Sequence, residues 1–242
     1  MMLELAKTVD ISKTNEPELA VVFLHGIAAD SSSYDGLIGH LMKEDSMKNI
    51  RLVAFDWLGS GKSYTSDELN YDFEEQLLAL ENSISKLDVK CPIIIVAHSM
   101  GTMMATRFAK SHKNLVEGLV LVSAPIYTKK DIENPMFKKA MDGFREVVKH
   151  KSEGLLESKA FNNEIKNIVS NTKNYDFLVG IEQPTIIIYG ELDKIIAPFN
   201  LPRLLKTNSN ISAVKTPGSH GVTIDKYGKI ATAIKSFEKE KQ

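Results

Sequence analysis

The chain reads as an α/β protein with a mostly parallel sheet, and three features carry that reading. Short runs that are apolar at nearly every position recur at 19–24, 50–55, 93–97, 116–122 and 185–189. A strand without polar alternation is buried on both faces, so helices must cover the sheet on both sides. Between the runs, Tyr34, Leu37, Ile38, Leu41 and Met42, and then Phe73, Leu77, Leu80, Ile84 and Leu87, fall at helical spacing. Strands that alternate with helices of this length imply right-handed crossovers and parallel pairing.

Taken in order, Leu3, Leu5, Val9 and Ile11 alternate loosely and predict one or two short edge strands before the Asn15-Glu16-Pro17 turn. The strand at 19–24 ends in His25-Gly26-Ile27-Ala28, and the strand at 50–55 leads into a glycine-rich loop. Asp72, with Glu75 three residues on, signals the start of the helix that follows. The strand at 93–97 runs through a small-residue turn at Ser99 into Met100, Met103, Met104 and Phe108, a helical stripe. After the strand at 116–122 the alternation stops. Met136, Phe137, Ala140, Met141, Phe144, Val147 and Val148 share one helical face, and Ile165, Ile168 and Val169 another, with no strand-like run before Pro184. Residues 126–181 therefore read as a helical insertion into a core of 1–125 and 182–242. Beyond it lie a strand at 185–189, a short helix at 201–205, a last strand at 212–216 and a closing helix at 224–237.

Bulk properties exclude several classes of function. Thirty basic and 31 acidic residues give a formal net charge of −1, so bulk charge attracts neither nucleic acid nor an anionic membrane. No apolar run is long enough to span a bilayer, and the N-terminus lacks a basic segment followed by a long apolar one. The single cysteine, Cys91, cannot form an internal disulfide, which fits a reducing compartment. The expectation is a cytoplasmic protein with no stable membrane insertion. The sequence is silent on oligomeric state.

In a parallel sheet, reactive groups gather at the carboxyl ends of the strands. Those ends carry His25-Gly26, Asp56, Ser99, the Ser123-Ala124-Pro125 bend, Asp193 and His220. Strand, sharp turn and helix around Ser99 have the form of a nucleophile elbow, with Ala97-His98-Ser99-Met100-Gly101 matching G-x-S-x-G if alanine stands for the first glycine. A serine that merely caps the helix is the competing reading. A nucleophilic serine needs a base, and the base needs a carboxylate to orient it. Of six histidines, His40 and His112 belong to helices and His150 to the insertion. His98 leaves the turn in another direction from the serine, and His25 starts a loop whose backbone is needed elsewhere. His220 follows the last strand between Gly218 and Gly221 and is the expected base. Asp193, in a turn framed by Gly190 and Pro198, is the expected acid, with Glu191 and Asp225 as rivals. Two backbone N–H groups should face the developing oxyanion: Met100, at the start of the helix, and Ile27, beyond the tight turn at Gly26. Gly59-Ser60-Gly61-Lys62-Ser63 imitates the end of a phosphate-binding loop, but Asp56 stands where its first glycine is required.

These segments together resemble the α/β-hydrolase fold family, in its serine esterase and lipase branch with a short helical cap. The resemblance rests on the His25-Gly26 loop, the segment from Phe55 to Ser63, the elbow at Ser99, Gly190-x-x-Asp193 and Ser219-His220-Gly221, in the family's order and over nearly the whole chain. It implies an eight-stranded, mostly parallel sheet with a cap after the sixth strand, and Ser99, Asp193 and His220 as nucleophile, acid and base. Two departures are Ala97 and an N-terminal region short for a pair of leading strands. The cap should roof the site, with Ile126, Met141 and Phe144 either lining a substrate pocket or packing the cap onto the core.

The expected activity is hydrolysis of a carboxylic ester of a small or medium apolar substrate through an acyl-serine intermediate, with no metal or cofactor and a small-molecule partner. Thioesterase, lactonase, carbon–carbon hydrolase, lyase and cofactor-free haloperoxidase relatives resemble the same constellation. A receptor that keeps the triad but scarcely turns over is the alternative outside enzymology.

Overall fold

The computed structural model describes residues 2–45, 47–151, 158–170, 173–193 and 195–239, apart from the side chains of 147–151, 222–223 and 238–239. Val147, Val148 and His150 thus lie, as side chains, outside the described residues.

Among the described residues the chain forms a seven-stranded sheet. In chain order the elements are β1 (Ala6–Ser12), β2 (Leu19–Leu24), α1 (Asp35–Lys43), β3 (Ile50–Asp56), α2 (Phe73–Ser85), β4 (Ile93–His98), α3 (Met100–Ser111) and β5 (Val116–Val122). Then come α4 (Lys129–Ile132), α5 (Pro135–Lys151), α6 (Lys159–Asn163), α7 (Asn174–Val179), β6 (Thr185–Gly190), α8 (Leu201–Thr207), β7 (Ile211–Thr216) and α9 (Tyr227–Lys239). The strand order is β1-β3-β2-β4-β5-β6-β7. β1 pairs antiparallel with β3, and every other pair is parallel.

The doubly buried runs explain the layering. Along β2, Ala20, Val22 and Leu24 enter one apolar cluster with Leu80 and Ile84 of α2 and Met104 and Phe108 of α3. Val21 and Phe23 enter the other, with Leu37 and Leu41 of α1 and Ile230 and Ile234 of α9. Successive side chains of a strand point to opposite faces, so both clusters are written into the same six residues. The start of α2 is fixed as its sequence suggests: the Asp72 carboxylate accepts the Glu75 N–H at 3.0 Å. The Glu75 carboxylate reaches past the cap residue to the N–H groups of Asn70 and Tyr71, at 2.8 and 2.7 Å.

The strand count corrects the expectation of eight. Only β1 precedes β2, and the insertion accordingly follows the fifth strand, not the sixth. Leu3 and Leu5 form no strand because their backbone groups are taken by α2. The Leu5 N–H donates to Ser83 Oγ at 2.7 Å, and Asn82 Nδ2 donates to the Leu3 carbonyl at 2.8 Å.

Between β5 and β6 the chain runs through α4 to α7, and a π-helical turn spans Glu164–Val169. Glu164 is buried there, its Oε1 accepting from Gln76 Nε2 at 3.2 Å. The Gln76 amide also pairs with both backbone groups of Leu58, at 3.0 and 3.1 Å, tying the insertion to α2 and to the loop after β3. Burial pushes the Glu164 carboxyl up to about 8, so it is protonated at neutral pH. The folded state then holds a proton that the unfolded chain releases, and stability falls as pH rises from the ordinary carboxyl range through about 8. Glu164→Gln should therefore raise Tm by several degrees above pH 8 and leave it nearly unchanged near pH 4, as measured by thermal unfolding across that range.

Candidate active site

The turn between β4 and α3 sets the geometry. Ser99 has φ 50° and ψ −119°, a strained conformation that costs on the order of 1–3 kcal/mol for a residue with a Cβ. Its backbone is held by the Ser99 N–H donating to the Val122 carbonyl at 3.0 Å, and by the Thr102 N–H and hydroxyl donating to the Ser99 carbonyl at 3.0 and 2.6 Å. Gly101 allows α3 to begin against the end of β2: a Cβ there would stand 2.5 Å from both the Leu24 and His25 carbonyl oxygens. Ala97, at the position of the motif's first glycine, is fully buried in β4.

Residues far apart in sequence meet at this turn. His220, in the loop after β7, places Nε2 2.8 Å from Ser99 Oγ across 121 residues. Asp193, in the loop after β6, places Oδ2 2.9 Å from His220 Nδ1. The second Asp193 oxygen accepts the Ile195 N–H at 3.1 Å, which fixes the carboxylate plane. A carboxylate only accepts, so the imidazole carries its proton on Nδ1 and turns the Nε2 lone pair toward the serine hydroxyl. The rival carboxylates lie elsewhere. Glu191 faces Lys215 at 3.6 Å, and Asp225 lines the cleft while His220 Nδ1 is taken by Asp193.

Ile27 and Met100 flank Ser99 on the wall of one small pocket. The loop carrying Ile27 is clamped by His25, whose Nδ1–H donates to the Gly26 carbonyl at 2.8 Å while Nε2 accepts the Trp57 N–H at 3.0 Å. Trp57 Nε1–H returns a bond to the His25 carbonyl at 2.9 Å. Burial holds the His25 pKa down, which keeps the imidazole neutral and able to accept. The clamp is absent from the sequence reading. The adjacency of His25 to Gly26 marks the loop, but the distant Trp57 that completes it has no local signature.

Two spaces open at Ser99. A small apolar pocket of about 20 Å³ lies behind the serine, walled by Met103, Pro125, Tyr127, Met141, Phe144 and Val169. A cleft of about 910 Å³ opens along Phe144, Leu192 and Ile224, and His220 lines both spaces. Met141 and Phe144 thus border the site, whereas Ile126 does not. Ile126 is fully buried in the core, and its neighbours Pro125 and Tyr127 line the pocket in its place.

The Gly59–Ser63 segment is occupied by its own protein. The Asp56 carboxylate accepts the Lys62 and Ser31 N–H groups, each at 2.8 Å, and the N–H groups of Gly59, Ser60 and Ser63 donate to backbone carbonyls, so these amides are taken within the protein. Among the described residues, no group of three or more His, Cys, Asp or Glu side chains is arranged to hold a metal ion.

The family model for the alpha/beta hydrolase fold matches residues 20–164, and the chain belongs to that family. A relative from Arabidopsis thaliana, named "Probable lysophospholipase BODYGUARD 4", is 32% identical over 113 residues. That match covers 46% of this chain and 26% of the relative, so the chain corresponds to only a fraction of the longer protein. Among solved structures, the thioesterase domain from the curacin biosynthetic pathway superposes with a TM-score of 0.69 at 18% identity, covering 97% of this chain and 99% of that one. The enol-lactonase from Burkholderia xenovorans LB400 gives 0.72 at 15% identity, covering 97% and 96%. At such identities the likeness is one of fold. Among the described residues, no helix is long and apolar enough to cross a membrane.

Gly101→Ala should strain the contact with β2 and cost about 1–3 kcal/mol in denaturant unfolding. The same variant should react with a fluorophosphonate at least about tenfold more slowly than the wild type, because the serine turn shifts with the helix.

Proposed function

We propose that the protein is a carboxylic ester hydrolase that works through an acyl-serine intermediate. The observation that carries this reading is the continuous relay from Ser99 Oγ to His220 Nε2 at 2.8 Å and from His220 Nδ1 to Asp193 at 2.9 Å. As Ser99 Oγ bonds to the ester carbonyl carbon, its proton passes to His220 Nε2, and the carbonyl oxygen becomes an oxyanion facing the N–H groups of Ile27 and Met100. Collapse breaks the bond to the alcohol oxygen, which leaves with the proton from Nε2. Water then attacks the acyl-serine, gives a proton to His220, and releases the acid as Ser99 recovers its own. Asp193 stays ionised and holds the Nδ1–H throughout.

The two spaces divide the substrate. His220 lines both spaces and can protonate a leaving alcohol in either, so the division follows size and polarity: the acyl group takes the small apolar pocket over Met103 and Met141, and the alcohol the open cleft. At about 20 Å³ the pocket has room for little more than a water molecule, so an acyl chain entering it must be short. Residues 126–181 serve as the cap that closes this pocket, through Met141 and Phe144. A cytoplasmic setting belongs to the same proposal and rests on the presence of one cysteine, Cys91, in the sequence, which cannot form an internal disulfide.

Ser99→Ala should abolish covalent labelling by a fluorophosphonate while leaving the circular dichroism spectrum unchanged, and labelling that survives would overturn the assignment. His220→Ala should lower kcat on a short aryl ester on the order of 10³-fold or more. Across aryl esters of increasing acyl length, kcat/KM should peak at the two- or three-carbon acids. Phe144→Ala should move that optimum to longer chains; an unchanged profile would place the acyl group elsewhere.

A further inference from the structure

His220 reaches Ser99 from a loop with little regular structure. It follows β7, the edge strand, and is preceded by Gly218 at φ 134°. Its ring is held by two side-chain bonds, to Ser99 and Asp193, and both are disturbed when the proton moves. The backbone of the same residue is held independently. The His220 carbonyl receives two donors, His98 Nε2 at 3.2 Å and Ser123 Oγ at 3.2 Å. One lies at the end of β4, which leads into Ser99, and the other just past β5, which pairs with β4.

We infer that His98 is a positioning residue for the base, assisted by Ser123, and that the pair sets where the His220 imidazole stands relative to Ser99. The inference rests on the reading of Ser99 and His220 as nucleophile and base. Connectivity gives it force. His98 directly precedes Ser99, so the peptide between them, the Ser99–His220 bond and the bond from His98 to the His220 carbonyl close a ring. The base is thereby referenced to the backbone of the nucleophile at two points, one of which does not change as the proton moves.

The choice of histidine for this position is chemically specific. A carbonyl only accepts, so His98 carries its proton on Nε2 and leaves Nδ1 bare. Burial, with His220 close by, holds the His98 pKa down to about 3, so the donor stays neutral at working pH. The two rings are 5.2 Å apart, and a lysine or arginine donor there would set a permanent charge beside the imidazolium that forms during the reaction. Room for the ring is made by Gly26, where a Cβ would lie 2.9 Å from His98 Nδ1. The same glycine therefore serves both the Ile27 loop and the His98 ring.

The test compares His98→Leu, which keeps bulk and removes the donor, with His98→Gln, whose amide can still donate to the His220 carbonyl, and with Ser123→Ala. His98→Leu should lower kcat on a short aryl ester by about 10- to 100-fold with KM within about twofold, and Ser123→Ala by a few-fold. His98→Gln should recover most of the loss. The pH at which activity falls by half on the acid side should stay in place in His98→Gln, since the base is unaltered. The low-field proton resonance of His220 Nδ1–H should be sharp in the wild type and His98→Gln and broadened in His98→Leu. Equal activity and line shape in all three would overturn the inference, as would a loss in His98→Leu that His98→Gln does not relieve. If the wild type neither turns over esters nor labels at Ser99, the hydrolase reading fails, and the resonance alone decides the positioning role by the same criterion.

Discussion

Parallel pairing is the constraint on which everything else depends. Because β2, β4, β5, β6 and β7 run in one direction, their carboxyl ends share an edge, and every chain reversal there delivers a side chain or an amide to the same place. Ser99, Asp193 and His220 need no long arm to meet: each sits within a few residues of a strand end. The strain at Ser99 is sustained by the same arrangement. The five buried residues of β4 and the first turns of α3 cannot both relax without dismantling the sheet, so the unfavourable φ persists at a cost small beside the burial that enforces it.

Much of this is legible in the amino-acid order, for a physical reason. Strands buried on both faces leave an unmistakable apolar record, so 19–24 and 116–122 coincide with β2 and β5, and the remaining expected strands differ from β3, β4, β6 and β7 by a residue or so at an end. The residues at strand ends are separated from those runs by short turns, which makes Ser99, Asp193 and His220 readable as neighbours. The N-terminus is less readable because loose alternation cannot say whether a segment pairs with a strand or is claimed by side chains of a helix. Leu3 and Leu5 take the second course through Asn82 and Ser83. That miscount falls beyond β3, away from the strands that carry the site.

What sequence does not disclose are the supports. Trp57 is folded against His25 from 32 residues away, Gln76 meets Glu164 across 88, and His98 reaches the His220 carbonyl across 122. None of these pairs has a characteristic spacing, since each depends on which loops the sheet brings together. Ile126 shows the same limit on a smaller scale. Its apolar side chain suits a pocket wall or a core equally, and only the folded chain assigns Pro125 and Tyr127 to the wall instead.

On the proposed chemistry, the insertion between β5 and β6 divides the polypeptide into a part that holds the reactive alcohol and a part that holds the groups that would activate it. Ser99 is made with the first 125 residues, while Asp193 and His220 emerge only after the helices of the insertion. A ribosome that stalled anywhere within those helices would release a chain with its serine in place and no means of deprotonating it. On that chemistry, reactivity is thus withheld until the strands beyond the insertion have been made, and the helical segment can differ in length or shape without any of the three groups leaving its strand.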